Sequence, residues 1–337
     1  MAMNIYNTGT AGNPTNTWEV PELLLAVDAR VILDKFMMKE SVPKNKNEVV
    51  SFSRAVTPAV DTSESAEGVS KASHALTFEN VSGTLGEYAE SFAWSSRQAN
   101  MGERDIFAAS KDRLIDLVAR TRELVAWYVI RNCTNVLYNS SAISSRATVN
   151  GVAGKGRYDL AVRFLDANGA HHIQEATKGS VNVNTTPIQP CYVCVGHTDR
   201  KSDIEALPGF VPAAQSPAKD AIMYWHGTVG QVMYVLTKEL EPRLAAGALV
   251  AGTGLKGTTN VDVYTDVIFG KHAFGRVALG AKELGKAGLK FTLLDKADKS
   301  DINNRLRIVG TDWVDLVLIL NQSWCIAIEQ GVTLNPA

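Results

Sequence analysis

KDRLIDLVARTRELVAWYVIRNCTNVLYN, residues 111–139, holds neither Gly nor Pro, and the uninterrupted run that contains it begins at Glu103. Read as one helix over 103–139, it predicts a rod of about 55 Å at 1.5 Å per residue, where an ordinary helix has roughly three turns. Phe107, Leu114, Val118, Val125, Val129 and Val136 recur at alternating spacings of seven and four. An eleven-residue period of about 3.67 residues per turn keeps one stripe on one side of a nearly straight rod. Ile115, Leu117, Leu124, Trp127, Tyr128 and Ile130 widen the stripe, and Arg113, Asp116, Arg120, Arg122 and Glu123 take much of the remaining surface. That is the pattern of a helix lying along a sheet. A long core helix of an enzyme has the same pattern.

Upstream of the rod, residues 1–17 are small and polar and read as a flexible arm. PELLLAVDARVILDKF (21–36) has helical spacing with Pro in the first turn, which predicts a short amphipathic helix. NEVVSFSRAV (47–56) and ALTFENVSGTLGEYAESFAWS (75–95) alternate as strands, the first through Val50, Phe52 and Val56, the second through Tyr88, Phe92 and Trp94. Between them TPAVDTSESAEGVSKAS (57–73) has only Val60 and Val69 as bulky apolar residues and cannot build a core. The expectation is a two-stranded arm with a mobile tip. Such ribbons are marginal alone, so this one needs a neighbour; an ordinary disordered surface loop would give the same composition.

From about Asn150 the texture becomes β-rich. Strands are predicted in CYVCVGH (191–197), TVGQVMYVLT (228–237), VDVYTDVIFG (261–270), LKFTLL (289–294), WVDLVLIL (313–320) and WCIAIEQ (324–330). Helical pieces are predicted in YDLAVRFLDANG and DRKSDIEAL, and the Gly-rich stretch 243–260 reads as a mobile loop. No repeat of solenoid period is present.

Composition sets limits on function. The chain has 337 residues, 45% hydrophobic and 20% charged, enough for one large or two modest folded domains and against wholesale disorder. Lys plus Arg number 34 against 35 Asp plus Glu, a balance that gives no electrostatic case for gripping nucleic acid or an anionic membrane. No apolar run reaches the roughly 18 residues of a membrane span, and the first residues lack a signal pattern, so the protein is expected to stay in the cytoplasm where it is made. Cys133, Cys191, Cys194 and Cys325 read as reduced core residues, with Cys191 and Cys194 pointing to opposite faces of one strand.

Catalytic patterns are weak. His197, Asp199, Asp203 and Glu205 could suggest a metal, but a strand end followed by a helix explains them better, with Thr198 or Asp199 as the cap and Ser202 to Glu205 as a capping box. His171 and His172 are adjacent and read as a solvated loop. GVAGKGRY and GTGLKG lack the spacing of a phosphate loop, and there is no nucleophile elbow.

Loose arm, two-stranded arm, long helix and β-rich remainder follow one another in an order that resembles the major capsid proteins of tailed bacteriophages with the Hong Kong 97-type fold, in a podophage-type family. The specific likeness lies in VDVYTDVIFGKHAFGRVALG (261–280) and SDINNRLRIVGTDWVDLVLILNQSWCIAIEQ (300–330), through Phe269, Gly270, Phe274, Gly275, Trp324 and Glu329. At Leu306–Val309 this chain lacks the Gly-rich residues that many members carry. The resemblance implies an α+β fold with 1–45 as N-terminal arm, 46–97 as extended β-hairpin loop and 98–149 as peripheral domain with the spine helix. It also implies 150–260 as most of the axial domain and 261–337 as return strands completing the sheet beside the spine.

The implied function is a major capsid subunit, not an enzyme, forming hexamers and pentamers of an icosahedral shell around double-stranded DNA. It needs no cofactor. It is assembled in the host cytoplasm and resides in the virion, with a separately encoded scaffold, a portal and decoration proteins as partners and no membrane. Under this reading Asp61, Glu64, Glu67 and Lys71 are expected to make intersubunit ion pairs. Two alternatives compete: a two-domain cytosolic enzyme with a metal near His197 and Asp199, and a nanocompartment shell of the same fold.

Overall fold

A computed structural model describes residues 32–43, 48–65, 67–68, 70–101, 105–173, 189–215, 224–250, 254–279, 290–294 and 301–334. The expected arm over 1–17 and most of the expected helix over 21–36 lie outside these residues. In chain order the strands and helices are β1 Met38–Val42, β2 Val49–Val56, β3 Thr77–Thr84, β4 Gly86–Ser95, α1 Ser96–Met101, α2 Ile106–Ile130, β5 Val136–Tyr138 and α3 Lys155–Ala167. They continue with β6 Tyr192–His197, α4 Lys201–Glu205, β7 Phe210–Pro212, β8 Trp225–Val229, β9 Val232–Thr237 and β10 Tyr264–Phe269. The last four are β11 Phe274–Leu279, β12 Lys290–Leu294, β13 Leu306–Ile319 and β14 Cys325–Gln330.

The strands make a five-stranded sheet, a seven-stranded sheet and a separate two-stranded ribbon. In the first, β13 pairs with β4 over ten residues from Leu306↔Ser95 to Asp315↔Gly86, while its other edge takes β12 and then β11. β1 adds in parallel outside β11. In the second the order is β5-β14-β10-β6-β9-β8-β7. Gly230, at φ 59°, makes the tight turn between β8 and β9. The last expected segment, 261–337, is divided between the sheets: β10 and β14 join the seven-stranded sheet, β11 and β13 the five-stranded one.

The rod is shorter than its Gly- and Pro-free run. It starts where the Asp105 carboxylate accepts the Ala108 N–H at 3.1 Å, and it ends at Ile130 after 25 residues, about 37 Å. No breaker is needed, because side chains take over the backbone groups. Asn132 Nδ2 donates to the Tyr128 carbonyl at 2.7 Å, and Asn135 Nδ2 donates to the carbonyls of Gln322 and Cys325. Val136–Tyr138, expected as helix, instead pairs in parallel with Ala327–Glu329.

With the rod shortened, the buried helical positions are Leu114, Val118, Glu123, Ala126, Trp127 and Ile130. Phe107, Ile115 and Tyr128, placed on the stripe from sequence, are exposed, while Glu123, placed on the surface, is enclosed. The first half of α2 packs Leu114 and Val118 against Trp94, Val309 and Trp313 of the five-stranded sheet. Its last turns carry Ala126, Trp127 and Ile130 into a core with Val193, Val267 and Phe269 of the other sheet. The opposite face of that sheet is covered by Tyr158, Ala161, Val162 and Leu165 of α3. Cys191 and Cys194 do enter opposite cores, and all four cysteines are buried and unbridged.

The stretch 243–260, expected to be mobile, is pinned in its described part by bridges Arg243↔Val263, Leu249↔Asn260 and Gly257↔Val261. Its glycines permit close approach there: a Cβ on Gly257 would fall 2.1 Å from the Asn260 carbonyl oxygen.

Because Leu114 is fully buried and Ile115 is 48% exposed, the two neighbours should respond differently to truncation. In chemical denaturation of the unassembled chain, Leu114→Ala should cost about 2–5 kcal/mol and Ile115→Ala no more than about 0.5 kcal/mol.

Candidate functional site

β2 and β3 form a ribbon of eight facing pairs from Val49↔Thr84 to Val56↔Thr77. Alternation puts Val50, Phe52 and Val56 on one face together with Val81 and the opposed pair Arg54 and Glu79, and leaves Val49 and Phe78 on the other at 57% and 59% exposure. Arg54 and Glu79 cross-pair at 2.5 Å, but both are half exposed, so the pair contributes little. The expected second strand, 75–95, is two: the ribbon ends at Thr84, and after buried Leu85 the chain enters β4 of the five-stranded sheet.

Among the described residues, the base of the ribbon is the part seated on the body. A Cβ on Gly83 would fall 2.7 Å from Leu318 Cδ2, so the missing side chain lets β3 lie on β13, and the Leu85 N–H donates to the Glu48 carbonyl at 3.0 Å. Beyond the base, the apolar face stands off the body across a cleft of about 420 Å³, with Phe52 and Val81 above and Met38, Leu320 and Trp324 below. Apolar area that faces an open cleft of that size yields little of the roughly 25 cal/mol per Å² that close packing would give.

At the tip, Asp61, Glu64, Glu67 and Lys71 are all exposed. Lys71 Nζ lies 3.4 Å from Asp61 Oδ2 and also donates to the Ser63 carbonyl, while Asp61 Oδ1 accepts from Ser63 N–H at 2.9 Å and Ser63 Oγ at 2.6 Å. The bonds from Ser63 hold the Asp61 carboxyl below its ordinary range. Two of the four sequence-predicted residues are thus brought together within one tip, and Glu64 and Glu67 project into solvent.

The His197 cluster is occupied by internal bonds. His197 Nδ1 accepts the Asp199 N–H at 3.0 Å, and Asp199 accepts the Tyr264 hydroxyl at 2.7 Å and pairs with Lys256. Asp203 pairs with Arg200 at 2.7 Å and Glu205 with His226 at 3.0 Å, in place of the expected capping box. Among the described residues no three potential ligands converge. His171 lies edge-on to Trp324 and His172 stacks on Tyr192.

Sequence reasoning missed three buried polar networks. Arg276 of β11 joins Asp315 of β13 and Asp34 ahead of β1, with Arg122 of α2 at 3.7 Å from Asp315 and Asp34 pairing onward to Lys39. Beside this network Glu123 Oε1 accepts the N–H groups of Ile32 and Leu33. In the other sheet, Asp266 Oδ2 accepts from the Tyr158 hydroxyl at 2.7 Å and Gln330 Nε2 at 2.6 Å, next to Arg200, and burial pushes its carboxyl upward. Glu329, fully buried, receives Arg146 and Arg243 at 2.7 and 2.8 Å. The available signal was a single charge inside an apolar strand, as in FGRVAL, WVDLVLI and YTDVIF, since such residues are buried only when paired.

No protein-family model matches the chain. No curated protein matches it either. Solved structures do. The capsid of Ralstonia phage GP4 has a TM-score of 0.66 at 13% identity, covering 98% of this chain and 99% of that one. The capsid of cyanophage P-SCSP1u gives 0.61 at 12%, covering 94% and 93%, and the capsid of cyanophage Pam1 gives 0.61 at 10%, covering 97% and 100%. Across almost its whole length the chain therefore has the α+β, Hong Kong 97-like fold of phage capsids.

Removing Asp315 takes the acceptor of Nε and Nη2 from the buried Arg276 guanidinium and leaves it Asp34 alone. Asp315→Ala should destabilise the unassembled chain by about 3–5 kcal/mol in denaturant unfolding, and Arg54→Ala, at the exposed ribbon pair, by less than about 1 kcal/mol.

Proposed function

We propose that this chain is the major capsid protein of a tailed bacteriophage, the subunit that assembles into hexamers and pentamers of an icosahedral shell enclosing double-stranded DNA. The observation that carries the reading is the ribbon. Its apolar face is raised over a cleft and its outer face is bare, an arrangement that gains its missing burial when an adjacent copy supplies a surface. The fold shared with the capsids of phages GP4, P-SCSP1u and Pam1 supports the same reading.

In this reading the chain is a structural subunit rather than an enzyme and resides in the virion, assembled in the host cytoplasm. Many modest contacts in a closed ring sum to strong avidity, provided the geometry lets them form together. The near-neutral charge, 34 basic against 35 acidic residues, suits a wall that encloses DNA without gripping it. A separate scaffolding protein, a portal and decoration proteins complete the particle. Residues 46–97 serve as the extended loop, 98–149 as the peripheral domain with the spine and 150–260 as most of the axial domain, with 261–337 returning to both. Asp61, Glu64, Glu67 and Lys71 pair with charges on neighbouring subunits.

Expression of the full chain, alone and with its scaffold, followed by electron microscopy, tests the reading. Closed shells are expected; a lone monomer in every condition would contradict it. The combined changes Asp61→Lys, Glu64→Lys, Glu67→Lys and Lys71→Glu keep an opposite-charge pair within the tip but invert its outward charge. Shell yield should fall at least about tenfold, since like charges set opposite one another at a contact are repulsive. Unchanged yield would remove these four residues from the interface.

A further inference from the structure

Ile32–Val42 is one 3-10 turn, Leu33–Lys35, followed by β1 in parallel on the outer edge of the five-stranded sheet, with Ile32, Leu33 and Met37 set into the core beside α2. A helical turn starts with N–H groups that have no partner of their own. Here they are met from another element, because Glu123 of α2, 90 residues from Leu33, accepts the Ile32 and Leu33 N–H groups at 2.9 and 3.0 Å on a single oxygen, Oε1. The side chain is fully enclosed, and its second oxygen, Oε2, has no hydrogen-bond partner.

The charges around it are otherwise engaged. Arg276 of β11 is bonded to Asp34 and Asp315, Arg122 of α2 lies between the same two aspartates, and Lys39 of β1 is bonded to Asp34. None of these cations makes a hydrogen bond to Glu123. An ionised Glu123 in this position keeps two amide bonds but gives up water on its free oxygen, a cost that the neutral acid largely avoids.

We propose that Glu123 is a proton-operated clasp: when protonated it holds Ile32–Val42 on the long helix, and when ionised it loosens that segment so that the carboxylate can regain water. Burial pushes the Glu123 carboxyl up to about 7, against 4.5 for an unperturbed Glu; the two amide bonds and Arg276 oppose the shift, and Asp34 adds to it. The closed form therefore binds more protons than the open form between 4.5 and about 7. Closure is favoured as pH falls through this window, and the advantage is lost as pH rises through about 7. Between pH 5 and 8 the open-to-closed ratio should rise by about tenfold or more. The inference concerns the single chain and does not rest on shell formation.

Hydrogen exchange of the full, unassembled chain, corrected for intrinsic rates, tests it. Protection of peptides covering 32–42 should fall at least about tenfold from pH 5 to pH 8, while peptides covering 306–319 keep theirs. Glu123→Gln retains a carbonyl acceptor without a charge, so its 32–42 protection should be the same at both pH values. A wild-type 32–42 segment equally protected at pH 5 and pH 8, or a Gln variant that keeps the pH dependence, would overturn the clasp. Should the Gln variant not fold, the wild-type comparison of 32–42 with 306–319 decides alone.

Discussion

β13 has two edges to satisfy, and the whole plate is arranged around the way it does so. Fourteen residues long, it gives one edge to β4 over ten residues and shares the other between β12 and β11. A strand paired on both sides cannot move without breaking two ladders. Its alternation then decides what lies on top. Val309, Trp313 and Val317 point inward with Thr311 and Asp315. The apolar members receive α2 and the neighbouring core, and Asp315 fixes Arg276, through which Asp34 and the N-terminal segment are anchored.

A single helix then serves two sheets. Leu114 and Val118 belong to the core over β13, while Trp127 and Ile130 belong to a core that the seven-stranded sheet shares with Phe274 and Val317 of the five-stranded one, so α2 runs along both. Side chains buried from Leu114 to Ile130 hold the rod along about two thirds of its length. Against this body the β2–β3 ribbon is the outlier, seated among the described residues where Gly83 meets Leu316 and Leu318. Stiffness in the plate and incompleteness in the ribbon are the two properties that the proposed role as a shell subunit draws on.

Much of this was legible in the sequence. Alternation marked β2, β3 and β4, apolar runs marked β6, β9, β10, β12, β13 and β14, and the opposed burial of Cys191 and Cys194 followed from strand geometry. The ribbon was legible because a tip with only Val60 and Val69 as bulky apolar residues lay between two alternating runs. The end of the long helix was not, because Asn132 and Asn135 stop it through bonds to Tyr128, Gln322 and Cys325, and only folding brings the last two near. Glu123 was misread for a related reason: a helical Glu looks like surface until a distant segment lays two N–H groups on it. At the tip, the composition pointed to exposed charge, but the bond between Asp61 and Lys71 depends on a backbone path that no periodicity encodes.

The central claim is that the ribbon is unfinished in one chain and finished by another, and hydrogen exchange on free and assembled protein compares the two states directly. The account predicts that protection over 49–56 and 77–84 rises sharply on assembly while 306–319, already buried in the single chain, changes little. Ribbon amides equally protected in the free chain, or equally unprotected in the assembled one, would contradict it.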